Sequence, residues 1–106
     1  MKKIVIPMSE HAGSFAENKE VAKKLRIQTI MPALLTENEV VFDFDGVSGA
    51  TQSFIHALIS EPIREFRDIA YENLYYENAN DNVREIISIV YRYMQDSFWL
   101  LSCYDF

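Results

Sequence analysis

Short apolar runs separated by longer amphipathic stretches make up the pattern of the chain, and three of the runs predict β-strands. Ile4–Ile6 is β-branched and stands directly before Pro7, which is typical of a short early strand. Val40–Phe44 begins with three consecutive apolar residues, so we expect a central strand that is buried on both faces. Leu74–Tyr76 is largely aromatic and predicts a third strand.

The first long helix is predicted from about Phe15 to about Met31, after a polar turn at Ser9–Gly13. Its apolar positions recur at helical spacing, with Lys and Glu on the other face: Val21, Ala22 and Leu25. Ser14 stands three residues before Glu17, a spacing typical of a capping box that satisfies two free N–H groups. Pro32 is expected to end or kink this helix, because proline lacks the N–H donor and clashes with the preceding turn.

Two further helices follow the second and third predicted strands. The first is capped by Thr51 or Ser48 and is interrupted at Pro62. Its apolar face consists of Phe54, Ala57 and Leu58. The last helix is capped by Asn80 or Asp81 and carries a clear apolar stripe. The members of this stripe are Val83, Ile86, Ile87, Val90 and Met94.

The alternation of strands and helices predicts an α/β fold in a single domain over residues 1–97. We expect a mixed or mostly parallel sheet of about four strands packed with about three helices. Residues 98–106 form a tail in which seven of nine residues are apolar. Because such a tail is costly to leave in water, we expect an edge strand or an interface segment, which offers a homodimer contact.

Composition narrows the function classes. The chain has 106 residues and a formal net charge of −6, and its ten basic residues are scattered, which argues against nucleic-acid and membrane-surface partners. No apolar run approaches the roughly 20 residues of a membrane helix. The single cysteine, Cys103, cannot form an intrachain disulfide and suits a reducing compartment. We therefore expect a cytoplasmic protein.

Catalytic and metal-binding patterns are weak throughout the chain. Neither His11 nor His56 has a second ligand at helical spacing, and Cys103 lies in the apolar tail, where burial blunts a thiol. Ser53 and His56 share a helix face without an identifiable third group. The turn Gly46–Gly49 leads into a helix but lacks the spacing of a phosphate-binding loop. We expect no catalytic residue, metal or cofactor, and hence no enzyme.

One segment resembles a known family. Val40–Leu58 reads VVFDFDGVSGATQSFIHAL, and an apolar strand ending in Asp-Phe-x-Gly-Val before a Thr/Ser-x-Ser-Phe helix start resembles the signature of bacterial STAS-like domains of unassigned function. The resemblance covers most of residues 4–97. Such domains are similar to anti-sigma factor antagonists, which are regulatory binding modules in signal transduction. The resemblance thus implies a STAS-like fold and docking on a histidine-kinase-type ATPase or a similar partner.

The resemblance also indicates which residues would form the site. In anti-sigma factor antagonists a serine at the start of the helix after the central strand is phosphorylated, and that position falls on Gln52, between Thr51 and Ser53. A shift of one residue would make Ser53 the acceptor; otherwise the surface acts in docking alone. The partner-binding or phosphoacceptor candidates lie within Ser48–Phe54: Ser48, Thr51, Gln52 and Ser53. The supporting turn consists of Asp43, Asp45, Gly46 and Gly49.

A second function uses the same residues. A helix N-terminus favours anions, so the alternative is a domain that senses a small anionic ligand or a nucleotide at the start of this helix.

Overall fold

Two parallel β-sheets provide the framework, in a computed structural model that describes the backbone of residues 2–104 and the side chains of residues 2–94. In the larger sheet β1 (Lys3–Pro7) and β5 (Leu74–Glu77) flank the central strand β3 (Glu39–Asp43). In the smaller sheet β2 (Phe15–Ala16) pairs with β4 (Gly49–Ala50). Parallel neighbours need long crossover connections, which here are largely helical.

The helices are α1 (Met8–Ala12), α2 (Lys19–Leu25), α3 (Met31–Leu35), α4 (Gln52–Phe66), α5 (Asp68–Asn73) and α6 (Asp81–Tyr104), with a π-helical turn at Arg26–Ile30 between α2 and α3. The α/β class with a mostly parallel sheet is confirmed. More elements are present than predicted because strands of two residues show no period. In addition, α1 replaces the expected polar turn Ser9–Gly13, since Met8 is buried in the core.

The core lies between one face of the larger sheet and the helices. Val40 and Phe42 of β3 are fully buried on this face and pack in one cluster with residues of α2, α4 and α6. On the opposite face Val41 is also fully buried, in register between Val5 and Tyr75. The prediction of a central strand buried on both faces is therefore confirmed. The two side chains that flank Val41 on this face remain about half exposed, with Val5 at 53% and Tyr75 at 44%.

The first long helix begins later than predicted, and its cap is Asn18 rather than Ser14. The Oδ1 atom of Asn18 accepts the backbone N–H of Glu20 at 3.0 Å. The predicted capping box is wrong because Phe15–Ala16 is drawn into β2, while the Ser14 carbonyl accepts hydrogen bonds from Ser48. A distant strand pairing thus overrides a local signal.

Pro32 does not end this helix. The chain continues from α2 into α3 through the π-helical turn, in which the N–H of Met31 donates to the Arg26 carbonyl five residues earlier. A widened turn of this kind is a common device where a helix must bend or accommodate a proline. Arg26 also fixes the turn to α4: its Nη1 donates to the Ala57 carbonyl at 3.0 Å and its Nε lies 3.1 Å from Glu61 Oε2.

The helix after the central strand, α4, begins at the predicted cap but continues past the proline at which an interruption was predicted. Thr51 is its cap, with the hydroxyl oxygen accepting the Phe54 N–H at 3.0 Å. The helix runs past the buried Pro62 to Phe66. Arg67, in the left-handed region at φ +49°, then separates α4 from α5.

The last helix extends much further than its apolar stripe suggested. The backbone is helical through Tyr104, so most of the predicted tail continues α6 rather than forming an edge strand. The physical reason is the absence of any Gly or Pro after Pro62 that would stop the helix. The alternative role of residues 98–106, as an interface segment, depends on side chains outside the described residues and stays a prediction. Over the described part of the chain, no helix has the length and apolar character needed to cross a membrane.

Replacing Phe42 by alanine tests the assignment of the core face. We expect Phe42→Ala to lower the free energy of unfolding by about 3–5 kcal/mol, because it opens a cavity in the centre of the core. Val5→Ala, on the neighbouring strand but the opposite face, should cost under about 1.5 kcal/mol, since that side chain is half exposed. Urea unfolding followed by circular dichroism measures both, and equal losses would contradict the assignment.

Candidate functional site

The residues singled out by sequence lie together where β3 ends and α4 begins. Asp43 is the last residue of β3, and the turn that follows leads through β4 to the cap of α4 at Thr51. Parallel strands end at one edge of a sheet, so β5 brings Glu77 and Asn78 to the same place. Binding sites of α/β proteins commonly lie at this edge.

Asp43 connects the turn after β3 to the end of β5 through hydrogen bonds. Its Oδ1 accepts the Asp45 N–H at 3.0 Å and the Nδ2–H of Asn78 at 2.9 Å. These hydrogen bonds, above all that from Asn78, hold the pKa of Asp43 below its ordinary value. Asn78, which follows β5 directly, has φ +58° and supplies this amide from the left-handed backbone conformation. Asp43 therefore has a supporting role, as an ionised acceptor that shapes the turn.

Two glycines allow close approaches in the turn. Gly46 has φ +86°, and a Cβ atom there would lie 3.3 Å from Ser9 Cβ. At Gly49 a Cβ atom would lie 2.9 Å from Cε1 of Phe15, whose ring covers this glycine. Gly46 is thus required by its backbone conformation, and Gly49 by the aromatic ring above it.

Ser48 links three parts of the chain. Its N–H and its hydroxyl both donate to the Ser14 carbonyl, at 2.7 and 2.9 Å. Its own carbonyl accepts Nδ2–H of Asn80 at 2.9 Å, while Oδ1 of Asn80 accepts the Val83 N–H and caps α6. The predicted cap at Asn80 is confirmed. Its second contact, which ties the start of α6 to the turn, was missed because it joins residues far apart in the sequence.

The start of α4 presents two side chains to solvent. Thr51 is half buried, and its hydroxyl oxygen is engaged as the helix cap. Gln52 and Ser53 are exposed. Among the described side chains, the Ser53 hydroxyl has no hydrogen-bond partner. Ser53 is therefore the free hydroxyl of this first turn.

Two grooves lie on either side of these residues. The Lys19 groove, of about 370 Å³, lies between the starts of α2 and α4 and the middle of α6. It is lined by Lys19, Gln52, Ser53, His56, Ala57, Ile89, Val90 and Tyr93. The Phe15 groove, of about 560 Å³, lies between the smaller sheet and the first turns of α6. It is lined by Phe15, Ser48, Gly49, Ala50, Asn82, Glu85 and Ile86.

One face of α6 forms a wall of both grooves. Its lining residues recur at steps of three or four, which places them in one stripe: Asn82, Glu85, Ile86, Ile89, Val90 and Tyr93. The two grooves share no lining residue but follow one another along α6, and we call them together the α6 trough. The predicted apolar stripe of α6 is confirmed: four members are buried in the core, and Ile86 is half buried, packing against the core while it also lines the trough.

The wall of the trough is apolar in its middle, at Ile86, Ile89 and Val90, and polar at its start, where Asn82 and Glu85 lie. Phe15 and Tyr93, near its two ends, are 49% and 65% exposed. His56 lies edge-on to Tyr93 with ring centroids 6.1 Å apart. Partial burial, followed by the positive charge of Arg64, lowers the pKa of His56, so the imidazole is neutral near pH 7. Within the described part of the chain, no three His, Cys, Asp or Glu side chains form a group suited to a metal ion.

Removing the Asn80 amide should destabilise both the candidate site and the folded domain. We expect Asn80→Ala to lower the free energy of unfolding by about 1–2 kcal/mol, because a helix cap and a hydrogen bond to the turn are removed. Ser88→Ala, at an exposed position on the same helix, should leave stability within about 0.5 kcal/mol of the wild type. Thermal unfolding measures both variants, and an unchanged Asn80→Ala protein would contradict the cap.

The hydrogen bond from Asn78 makes a prediction about pH. Asn78→Gly removes the amide while tolerating φ +58°, so the pKa of Asp43 should rise towards its ordinary value. A lowered pKa in the folded state stabilises the protein above the unfolded pKa of about 3.9, and this contribution disappears as pH falls through the folded value. The stability advantage of the wild type should therefore shrink below about pH 4.

Carbon NMR of the Asp43 carboxyl measures the pKa directly, and urea unfolding at several pH values measures the stability. Asn82→Gly is the control, since this exposed asparagine does not contact Asp43. An Asp43 titration that is the same in Asn78→Gly and in the wild type would contradict the assigned role of the amide.

A comparison with known protein families finds a match that includes the candidate site. The protein-family model described as a STAS-like domain of unknown function matches residues 21–84, which is more than half of the chain. The match includes β3, the turn and α4, and ends within α6. Comparison with curated proteins and with solved structures finds no match. The resemblance noted at Val40–Leu58 is confirmed, and the chain belongs to the family of STAS-like domains of unknown function.

Proposed function

We propose that this domain is a non-enzymatic regulatory module that binds a protein partner through the α6 trough and the adjoining segment Ser48–Phe54. The observation that carries the proposal is the trough itself, in which the apolar middle of the wall lies between two exposed aromatic side chains, Phe15 and Tyr93. Exposed aromatic residues beside a shaped apolar surface are typical of protein interfaces. The family resemblance supports a binding role as well.

The partner class follows from the resemblance to anti-sigma factor antagonists. We propose a histidine-kinase-type ATPase, or a similar regulator, in the cytoplasm of a bacterium. Such an enzyme would dock over the first turn of α4, where Gln52 and Ser53 are exposed. The alternative, a small anionic ligand or nucleotide at the same helix start, stays a prediction.

Ser53 is the phosphoacceptor in this proposal. Thr51 is half buried with its hydroxyl oxygen engaged as the cap of α4, and the Ser48 hydroxyl donates to the Ser14 carbonyl. Ser53 is exposed, and its hydroxyl lies in the same groove as Gln52, the position indicated by the family pattern. If Ser53 rather than Gln52 is the modified position, the phosphate still lies on the same surface.

A phosphate on Ser53 would change the surface in a defined way. It adds about −1.5 to −2 charges and three acceptor oxygens at neutral pH. The first turn of a helix tolerates this charge well because of the positive end of the helix dipole. Lys19 lines the same groove and is the cation that such a phosphate would attract. An exposed, weakly cationic surface would thereby become anionic, which switches the affinity for a partner.

Comparison of the partners bound by two alanine variants tests the docking surface. Gln52→Ala with Ser53→Ala removes the exposed side chains but keeps the Thr51 cap. When this double variant is used as bait in the native host, we expect it to recover the ATPase at least about tenfold less efficiently than the wild type does. A tenfold loss of affinity corresponds to about 1.4 kcal/mol of binding free energy, which two contact residues can account for. Quantitative mass spectrometry gives the measurement.

The matched control is Glu65→Ala with Glu72→Ala, two exposed positions near the end of α4 and in α5, outside both grooves. It should recover the same partners as the wild type. Equal recovery by both double variants would contradict the docking surface. Incubation of the recovered ATPase and ATP with the wild-type domain should place phosphate on Ser53, and a phosphate found elsewhere or not at all would remove the switch while leaving the docking proposal intact.

A further inference from the structure

The α6 trough has the length of a short helix. Its stripe on α6 extends from Asn82 to Tyr93, which at 1.5 Å per residue is about 16 Å, or three turns. Ile86, Ile89 and Tyr93 follow one another at intervals of one turn along this wall. An amphipathic helix presents its own apolar side chains at the same interval, so it can pack beside α6 over the whole stripe.

The charges at the two ends of the trough are opposite. Among the side chains of residues 2–94, Lys19 is the only charged one that lines the Lys19 groove, where His56 is neutral near pH 7. In the described part of the chain, Glu85 is likewise the only charged side chain that lines the Phe15 groove. The trough is therefore positive near Tyr93 and negative near Phe15. Charges at the rim of an interface contribute mainly to orientation and to the rejection of wrong partners.

From this length, spacing and polarity we infer that the trough accommodates a single amphipathic helix of the protein partner, about three turns long. Its apolar face contacts Ile86, Ile89 and Tyr93, with an acidic residue at the Lys19 end and a basic residue at the Glu85 end. The inference rests on the proposed function and specifies the segment of the partner that is recognised. Because the domain carries a net charge of −6, Lys19 is the group that makes an acidic contact favourable here.

Photo-crosslinking from both ends of the trough tests the inference. The photoreactive residue p-benzoylphenylalanine replaces Phe15 in one variant and Tyr93 in another, each expressed in the native host. Mass spectrometry then identifies the crosslinked peptides. We expect both positions to label the same short segment of one protein, predicted to be amphipathic and helical, with an acidic residue near the Tyr93 crosslink and a basic residue near the Phe15 crosslink.

Charge reversal supplies the second measurement. Lys19→Glu should reduce crosslinking from the Tyr93 position by about three- to tenfold, the size expected for one reversed charge across an interface. Lys24→Glu makes the same change elsewhere on α2, outside the trough, and should leave the yield unchanged. Circular dichroism confirms that both variants fold.

Several outcomes would overturn the inference. Labelling of different proteins from the two ends, a segment of the opposite polarity, an extended segment, or equal yields from the two lysine variants would each do so while leaving the proposed docking function intact. Absence of any protein crosslink from either position would overturn the proposed function together with the inference.

Discussion

The candidate site depends on one short pairing, between β2 and β4. Two backbone hydrogen bonds define its limits: the Ser48 N–H donates to the Ser14 carbonyl at 2.7 Å, and the Thr51 N–H donates to the Ala16 carbonyl at 3.0 Å. Because Ala16 lies just before α2 and Thr51 caps α4, this pairing sets the starts of the two helices side by side. It thereby brings Lys19 into the groove that contains Ser53 and places the Phe15 ring over Gly49. Each groove of the α6 trough therefore includes residues that this pairing positions.

Lys19 connects the two proposals physically. It is the cation that a phosphate on Ser53 would attract, and it is also the cation proposed to receive an acidic residue of the partner. One lysine cannot neutralise both anions, so the phosphate and the partner carboxylate would compete in the same groove. Electrostatic repulsion between the two anions adds to this competition, because like charges in one groove repel more strongly where water is partly excluded. Phosphorylation would then release the acidic end of the partner helix without any change in the fold, and a local change of charge would be enough for regulation.

Sequence patterns predicted the parts of this molecule that depend on local order. The strands at Val40–Phe44 and Leu74–Tyr76 and the caps Thr51 and Asn80 are recognisable because each signal lies within a few residues. The β2–β4 pairing could not be predicted, since two residues show no alternation and their partners are more than thirty positions away. The same pairing explains the wrong capping box at Ser14. Of the two outcomes expected at Pro32, an end or a kink, the end does not occur, because the preceding turn widens into a π-helical turn.

The trough was hidden for a different reason. Hydrophobic periodicity shows that one side of α6 is apolar, but it does not show how much of that side the rest of the fold covers. Val83, Ile87, Val90 and Met94 pack into the core, whereas Ile86 and Ile89, on the adjoining side of the helix, lie only half buried where α4 and the smaller sheet leave a gap. An apolar stripe wider than its core contact is what an interaction surface needs, because the same helix then stabilises the domain along one edge and offers contact area along the other. The position of α4, which is set by β4 and the Thr51 cap, determines which residues of α6 pack into the core and which ones line the trough.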